Sequence, residues 1–292
     1  RDKNTTLVVY TPAIPTTQPI LKYFIDNGFE VVKRAKLLGV VTEHSKGLCF
    51  SGTHGKTTTS SMCAHILETA GVGCNAFLGG VLRNYNSNFL LSSTSPYSVI
   101  EADEFDRSFH HLTPYIAVVT ATDPDHLDIY GNYENYLESF AHFTELIRPD
   151  GTLLIHIGLK LKPRVAKGVK TFTYSRNDGD YHAKNIRKGD GEIVFDFVTP
   201  NGIVPDIKLG VPVDINIENA VAAMAVCHMI GVDADAMRTA IGTFMGAKRR
   251  FEFWLKQPLP GGHVVIDDYA HHPNEIKASI MSVKDLYAGR KL

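Results

Sequence analysis

The chain has 292 residues, of which 44% are hydrophobic and 21% charged, so it is long enough to bury a core and form two domains or more. Its formal net charge of −1, with lysine and arginine spread along the sequence, excludes a global basic field that would recruit nucleic acid or anionic membrane. No apolar run approaches the roughly 20 residues that cross a bilayer, which predicts no membrane insertion.

Residues 1–46 predict the end of an α/β unit. Strands are expected at Leu7–Tyr10 and Phe29–Val32, with a helix at Gln18–Asn27 between them and a connector at Ala35–Gly47. The sequence enters a strand almost at once and stops just after an apparent helix. We therefore expect a fragment of a longer protein, cut at both sides.

From residue 48 onward, short apolar runs alternate with helical patterns. Buried strands are predicted at Leu48–Ser51, Ser98–Glu101, Ile116–Thr120 and Thr152–His156. Helices are predicted at Lys56–Ala70, Asn135–Ile147, Ile217–Ile230 and Asp233–Phe244. Apolar strands that alternate with helices indicate an α/β fold with a central, largely parallel sheet covered on both faces.

Two later regions depart from this pattern. Between residues 170 and 209, short strands separated by turns rich in glycine and aspartate predict an antiparallel extension, with Thr171–Tyr174 as its first strand. Gly246–Arg250 is a candidate hinge. A strand at His263–Asp267 and a helix at Pro273–Leu286 then predict the first unit of a further domain.

A glycine-rich turn follows the first buried strand, with the sequence Gly52-Thr53-His54-Gly55-Lys56-Thr57-Thr58-Thr59. Backbone N–H groups of such a turn point outward at a helix N-terminus, where the helix dipole favours an anion. The Lys56 ammonium adds a point charge, and the Thr57 hydroxyl can bind a magnesium ion. An ordinary tight turn can contain the same residue types, but this pattern predicts a nucleotide phosphate site. Only two residues separate the glycines, which favours a narrower family than the general NTPases.

Acidic side chains follow the second buried strand, in Glu101-Ala102-Asp103-Glu104-Phe105-Asp106. The carboxyl ends of strands in an open parallel sheet face one crevice, so Glu101 is expected to complete a magnesium shell with Thr57. The other three acids, Asp103, Glu104 and Asp106, fit a solvated loop.

The third buried strand leads into Asp123-Pro124-Asp125-His126-Leu127-Asp128. A histidine held near carboxylates can serve as a metal ligand or as an orienting donor, so we interpret His126 as functional. Either Asp125 or Asp128 could assist it. A capped turn bent at Pro124 would explain the same residues without any function.

Three other clusters give weaker signals. Asn219 could offer a donor and an acceptor to an adenine edge, although asparagine near a helix start is also a common cap. Lys248-Arg249-Arg250-Phe251-Glu252 fits a solvated basic surface. In Asp267-Asp268-Tyr269-Ala270-His271-His272-Pro273 the two histidines are adjacent. Neighbouring side chains diverge, so no zinc site is predicted there.

Taken in order, five motifs resemble those of the ATP-dependent Mur ligases of bacterial peptidoglycan synthesis. They are the glycine-rich turn and the segments 101–104, 125–128, 248–252 and 267–273. The resemblance covers essentially the whole chain. It implies a central parallel-sheet ATPase domain with a phosphate loop and an antiparallel extension, flanked by partial Rossmann-like domains.

The resemblance also implies the domain boundaries. Residues 1–46 would be the C-terminal tail of a domain that binds a UDP-sugar. Residues 47–247 would form the central ATP-binding domain. Residues 248–292 would be the truncated start of a C-terminal domain that binds an amino acid.

Roles for individual residues follow from the same resemblance. The implied ATP-binding residues are Gly52, Thr53, His54, Gly55, Lys56, Thr57, Thr58, Asn219, Arg250 and Asp268. The implied metal ligands are Thr57, Glu101 and His126, and the implied catalytic residues are Lys56, His126 and Arg250. Tyr269 and His271 are the implied substrate contacts.

Within the family, the motifs are most similar to those of the member that joins L-alanine to UDP-N-acetylmuramate. This similarity implies an ADP-forming carboxylate–amine ligase that uses ATP and Mg²⁺ and acts through an acyl phosphate. A recycling ligase that adds a tripeptide to the same sugar nucleotide, or a non-catalytic nucleotide-binding module, remains an alternative.

The sequence leaves the oligomeric state open. Four cysteines without paired spacing predict buried free thiols and a cytoplasmic protein.

Overall fold

The fold is a mixed α/β architecture, seen in a computed structural model that describes residues 2–189, 191–257, 261–270 and 273–292. The strands are β1 (Leu7–Tyr10), β2 (Glu30–Lys33), β3 (Lys46–Ser51), β4 (Asn75–Leu82), β5 (Ser87–Leu90), β6 (Tyr97–Glu101), β7 (Ile116–Val119), β8 (Thr152–His156), β9 (Lys170–Tyr174), β10 (His182–Gly189), β11 (Glu192–Thr199), β12 (Gly202–Lys208), β13 (Glu252–Lys256) and β14 (Val264–Asp267). The helices are α1 (Pro19–Asp26), α2 (Arg34–Glu43), α3 (Lys56–Thr69), α4 (Leu127–Tyr130), α5 (Tyr133–Glu145), α6 (Ile215–Met229), α7 (Ala234–Thr243) and α8 (Pro273–Leu286). A 3₁₀ segment covers Phe105–His111.

A seven-stranded sheet with the strand order β5-β4-β6-β3-β7-β8-β9 lies at the centre of the described chain. Its neighbouring strands run parallel except for β4 and β5, which form an antiparallel hairpin. The carboxyl end of β3 therefore opens between the carboxyl ends of β6 and β7. This arrangement confirms the predicted α/β fold with a central, largely parallel sheet.

Helices cover both faces of this sheet. Leu48 and Phe50 of β3 belong to one hydrophobic core, to which α3 and α6 contribute. Cys49 belongs to the core on the other face, to which α5 contributes. Successive side chains of a strand point to opposite faces, so a strand buried on both sides has to be apolar throughout, as β3 is at these positions.

The connector predicted at Ala35–Gly47 is wrong, because α2 occupies most of it. The sequence of α2 lacks a clear apolar stripe, and its packing explains why it is helical. Gly39 lies so close to the 3₁₀ segment that a Cβ there would stand 2.4 Å from the carbonyl oxygen of His111. Leu38 is buried beside it. Tertiary contacts stabilise this helix, which the local sequence pattern does not predict.

The predicted antiparallel extension exists as a three-stranded sheet of β10, β11 and β12. Its predicted first strand is misplaced, because Thr171–Tyr174 pairs in parallel with β8 as part of β9 in the central sheet. The strand β12 was not predicted. Asp233 caps the N-terminus of α7, because its carboxylate accepts hydrogen bonds from two backbone N–H groups of the first turn.

The last described residues form an antiparallel pair, β13 and β14, followed by α8. The strand and the helix predicted there are present as β14 and α8, whereas β13 was not predicted. The Leu286 carbonyl accepts a 3.2 Å hydrogen bond from the Gly191 N–H, so the end of α8 packs on the antiparallel sheet. Within the described ranges, no helix is long and apolar enough to cross a membrane. The domain boundaries remain predictions.

Candidate active site

The glycine-rich turn connects β3 to α3 and lies against the end of β7. Gly52 and Gly55 have φ values of 130° and 85°, a region that side chains with a Cβ rarely adopt. Neighbouring atoms also leave no room for a side chain at either position. A Cβ on Gly52 would stand 2.2 Å from Thr120 Oγ1, and one on Gly55 would stand 2.9 Å from Asn219 Oδ1. Both glycines are therefore required by conformation and by close approach.

The segment that follows β7 holds the backbone of this turn. The Thr53 N–H donates to the Ala121 carbonyl at 3.0 Å, and the Thr53 hydroxyl donates to the Asp123 carbonyl at 2.9 Å. The Thr120 hydroxyl lies within hydrogen-bonding distance of the His54 carbonyl. The His54 side chain is exposed, with Nε2 3.8 Å from a carboxylate oxygen of Asp123. Sequence reasoning missed Thr120, although a threonine directly after a buried strand is a signal for such a role.

Lys56 begins α3, and its side chain turns back toward the loop. Its Nζ donates to the Gly52 carbonyl at 2.7 Å and lies 2.8 Å from each carboxylate oxygen of Glu104. The expectation that Glu104 belongs to a solvated loop is wrong, because its side chain is only 1% exposed. Burial raises the pKa of the Glu104 carboxyl, and the neighbouring Lys56 charge opposes that shift.

Thr57 and Glu101 come together as the sequence predicted, with Thr57 Oγ1 3.1 Å from Glu101 Oε1. The Gly79 N–H of β4 donates to the second oxygen of Glu101 at 2.8 Å. A Cβ on Gly79 would stand 2.5 Å from that oxygen, and one on Gly80 would stand 3.3 Å from Thr57 Cγ2. Sequence reasoning missed this glycine pair. A Gly-Gly step inside an apolar run can signal a close approach of backbone to a site.

The oxygen atoms of Thr57 and Glu101 fit a magnesium ion. Mg²⁺ binds oxygen ligands in an octahedron at about 2.1 Å, which sets neighbouring ligand atoms about 3.0 Å apart. The observed separation of 3.1 Å is close to that value. No group of three or more His, Cys, Asp or Glu side chains is arranged to hold a metal within the described residues. The pair therefore suits an ion that takes its remaining ligands from phosphate and water.

His126 lies at the start of α4 with a left-handed φ of 51°. Its backbone N–H donates to the Asp125 carboxylate at 2.7 Å, and its Nε2 lies 3.6 Å from the same carboxylate. The Phe105 ring packs edge-on at 5.3 Å between centroids. Hydrogen bonds and ion pairs of the described residues do not join His126 to Thr57 or Glu101, so its role as a metal ligand stays a prediction.

Asn219 is buried between α3 and α6 and has partners for its amide. Its Oδ1 accepts a 3.1 Å hydrogen bond from the Thr59 hydroxyl, and its Nδ2 donates to Asn216 Oδ1 at 3.0 Å. Thr58, in the first turn of α3, is half-buried. An adenine contact of Asn219 remains a prediction.

The segment from Arg250 to Tyr269 approaches from β13 and β14. The Arg250 side chain is exposed, whereas Phe251 is only 5% exposed, so the cluster is not uniformly a solvated surface. The Asp268 carboxylate accepts a 3.3 Å hydrogen bond from the Phe251 N–H. The Arg249 guanidinium lies 4.5 Å from the centre of the Tyr269 ring.

The hairpin of β4 and β5 ties this segment to the central sheet. The Lys248 N–H donates to the Val81 carbonyl at 2.9 Å, and Arg83 Nε lies 3.1 Å from a carboxylate oxygen of Glu252. His271, an implied substrate contact, lies outside the described residues. Arg250, Asp268 and Tyr269 thus belong to a unit that is joined to the sheet near Gly79 and Gly80.

A cavity of about 230 Å³ lies between the first segment and the loop after β6. Residues on its walls include Thr11, Pro12, Arg34, Leu38, Glu101 and Phe105. Glu101 lies on the wall of this cavity and also contacts Thr57 of the glycine-rich turn.

Comparison with known proteins assigns the family. Residues 50–227 match the Mur ligase middle domain. The chain is 57% identical over 292 residues to the UDP-N-acetylmuramate–L-alanine ligase of Phocaeicola vulgatus, and 59% identical over 288 residues to that of Parabacteroides distasonis. These matches cover 100% and 98% of the chain but 63% and 62% of the relatives, so the chain spans less than two thirds of their length.

A solved structure agrees with this assignment. The UDP-N-acetylmuramate–alanine ligase MurC of Thermotoga maritima superposes with a TM-score of 0.83 at 26% identity, over 98% of this chain and 65% of that one. The matched family model covers more than half of the chain, from the end of β3 through the glycine-rich turn and into α6. The chain therefore belongs to the Mur ligase family.

Proposed function

We propose that this chain carries the ATP-binding part of a ligase that joins L-alanine to UDP-N-acetylmuramate and releases ADP and phosphate. The observation that carries the proposal is the grouping of Lys56, Thr57 and Glu101 at the carboxyl ends of β3 and β6, in a member of the Mur ligase family. The two relatives described above are named for this reaction. The proposed location is the cytoplasm, where ATP is available and free thiols persist, as the four buried cysteines require.

The proposed reaction overcomes the resistance of a carboxylate to attack by an amine. Phosphoryl transfer from ATP converts the muramate carboxylate into an acyl phosphate. The amine of L-alanine then attacks the acyl carbon, and the tetrahedral intermediate expels phosphate. In the first step a protein contributes mainly position and charge. Lys56 is proposed to hold the ATP phosphates, with the backbone N–H groups at the N-terminus of α3 facing them.

Thr57 and Glu101 are the residues proposed to hold magnesium. When bound, the ion would neutralise charge on the phosphate groups. The Gly79 N–H keeps the Glu101 carboxylate turned toward Thr57, which supports this assignment. His126 is proposed to serve a second metal near the incoming carboxylate.

The residues after 247 are proposed to close on the bound nucleotide. Arg250 and Asp268 would contact ATP, with Asn219 near the adenine and with Tyr269 and His271 toward the amino acid. Arg249 and Phe251 both have positive φ and flank Arg250. Such a segment can absorb the backbone rotation of a hinge.

The proposal is tested by product analysis with the complete natural protein. Lys56→Ala should lower the formation of UDP-N-acetylmuramoyl-L-alanine and ADP by at least about a hundredfold, because a positioned charge at the transferred phosphoryl group is lost. Lys208→Ala is the control, since it removes an exposed lysine of the antiparallel sheet that pairs with Glu192. Turnover by Lys56→Ala at the rate of the control would refute the role of Lys56.

A second variant guards against a folding defect. Loss of Lys56 leaves the buried Glu104 charge unpaired, which costs about 3–5 kcal/mol. Thr57→Ala keeps that ion pair and should raise the magnesium concentration needed for half-maximal activity.

A product mass that shows an added tripeptide would favour the recycling ligase. Nucleotide binding without any amide product would favour a non-catalytic module.

A further inference from the structure

Lys56 and Glu104 form a nearly closed ion pair at the base of the glycine-rich turn. The Lys56 side chain is 14% exposed and that of Glu104 is 1% exposed. An ammonium has three donors. Here it donates to the Gly52 carbonyl at 2.7 Å and to Glu104 Oε1 at 2.8 Å, while Glu104 Oε2 lies 2.8 Å away with no hydrogen-bond partner among the described residues. A phosphate that approaches Lys56 therefore meets an ammonium whose charge a carboxylate already neutralises.

The backbone around Glu104 keeps this acid where it is. The Glu104 carbonyl accepts hydrogen bonds from the Tyr130 hydroxyl at 2.5 Å and from the Arg107 N–H at 3.0 Å. The Arg107 guanidinium lies 4.8 Å from the centre of the Tyr130 ring. Glu104 is thus anchored to α4 and the 3₁₀ segment, while Lys56 belongs to α3. Glu104 therefore cannot move with Lys56 toward a ligand unless these backbone contacts break.

We propose that Glu104 is a positioning residue for Lys56, an internal counter-ion that nucleotide phosphates replace in part. The proposal rests on the nucleotide site proposed above. In the free protein Glu104 fixes the ammonium against the Gly52 carbonyl and neutralises its charge. In the complex the phosphates take over at least one of the contacts, and the remaining contact keeps the ammonium directed at the transferred group.

This arrangement makes two effects of Glu104 oppose each other. The carboxylate competes with phosphate for Lys56 and repels it, so it weakens nucleotide binding. It also restricts the lysine to one geometry, which favours the transition state. Removing its charge should therefore tighten nucleotide binding and slow the chemical step. A residue that served only to stabilise the fold would not produce changes of opposite sign.

The test compares Glu104→Gln and Glu104→Asp with the unaltered complete protein. ADP is the probe for binding, measured by isothermal titration calorimetry. Glu104→Gln should bind ADP about five- to tenfold more tightly, because the anionic competitor for Lys56 becomes a neutral amide, which accepts a weaker hydrogen bond and does not repel phosphate. Its kcat for ligation should fall about ten- to a hundredfold. Glu104→Asp keeps the charge and should bind ADP as tightly as the unaltered protein or up to a few fold more tightly.

Glu134→Gln provides the matched control, since Glu134 is exposed on α5 and its loss changes the net charge by the same amount. It should leave both ADP binding and kcat unchanged. Weaker or equal ADP binding by Glu104→Gln, in protein that melts as a folded unit, overturns the inference while the proposed function stands. If Glu104→Gln does not fold, weaker binding by Glu104→Asp overturns it. Absence of ADP binding by the unaltered protein overturns the proposed function as well.

Discussion

The candidate site has two sides that are held in different ways. The phosphate-loop side comprises Lys56, Thr57, Glu101 and Glu104. The C-terminal side comprises Arg250, Asp268 and Tyr269. On the phosphate-loop side, each side chain lies within 3.1 Å of a protein partner, and the carboxylates are held from neighbouring strands or loops. On the C-terminal side, the Arg250 and Tyr269 side chains are exposed at the surface of a two-stranded sheet.

This difference shows which side chains of the candidate site are held in place before a ligand binds. Side chains at the carboxyl ends of parallel strands are fixed by the packed core beneath them, so their geometry exists before any ligand arrives. We therefore expect substitutions there to change stability and binding together. Substitutions of exposed residues on the C-terminal side are expected to leave the fold intact and to affect only steps in which that side meets the ligand.

The largest effect is expected for Arg250→Ala. If the C-terminal side acts only with ligand bound, kcat for ligation should fall about 10²- to 10³-fold, because a charge directed at the transferred phosphoryl group is lost. The free energy of unfolding should change by less than about 0.5 kcal/mol, since Arg250 is exposed. Steady-state kinetics and urea unfolding measure the two quantities.

Arg187→Ala is the control for Arg250→Ala, because it removes an exposed arginine of β10 that pairs with Asp206. A clear loss of stability in Arg250→Ala would contradict the comparison, since it would show that the C-terminal side is also built into the fold.

A somewhat smaller effect is expected for Gly79→Ala on the phosphate-loop side. The new Cβ would stand 2.5 Å from Glu101 Oε2, so the carboxylate has to move away from Thr57. Activity at limiting magnesium should fall about a hundredfold, the cost of roughly 1 Å of misplacement. A magnesium titration of activity measures this change. Gly189→Ala is the control, because a Cβ there meets nothing within 4 Å. An unchanged magnesium requirement in Gly79→Ala would argue against Glu101 as the ligand.

The smallest effect concerns His65, which joins the hairpin of β4 and β5 to α7. Its Nδ1 lies 2.7 Å from the Tyr85 hydroxyl of the hairpin, and its Nε2 lies 3.0 Å from the Thr243 hydroxyl at the end of α7. Burial lowers the pKa of His65 from 6.5 to about 4. The unfolded state therefore binds a proton more readily, so the stabilisation is complete above pH 6.5 and is lost as the pH falls toward 4.

Urea unfolding at pH 7 and pH 5 tests this prediction. The unaltered protein should lose about 2 kcal/mol more than His65→Gln between these two values. Equal losses would show that His65 titrates normally and that the contact between hairpin and α7 does not depend on its neutral form.

Particular elements show how far the sequence leads. The glycine-rich turn and Glu101 were predictable because both follow apolar runs that have to be buried strands, and parallel strands share one carboxyl edge. The helix α2 was not predicted, and the strand β9 was predicted as a strand but in the wrong sheet. Their patterns are weak, and neighbours that are distant in sequence, such as His111 and β8, decided them.

The burial of Glu104 shows the same limit within the site. Its position three residues after Glu101 suggested a solvated loop, but the loop turns inward and places the carboxylate under Lys56. Sequence spacing does not reveal the direction in which such a loop turns. Two residues of this loop, Asp106 and Arg107, have left-handed φ values that no local sequence pattern predicts.

By itself, the sequence determined the central parallel sheet, the glycine-rich turn and the family resemblance, because periodic burial and backbone freedom are local properties of residue types. Only the tertiary structure decided that Glu104 faces Lys56 and that the Gly79 N–H of β4 holds Glu101. The reason is physical. A buried charge requires a partner, and the partner is chosen by packing between strands and helices that lie far apart in the chain.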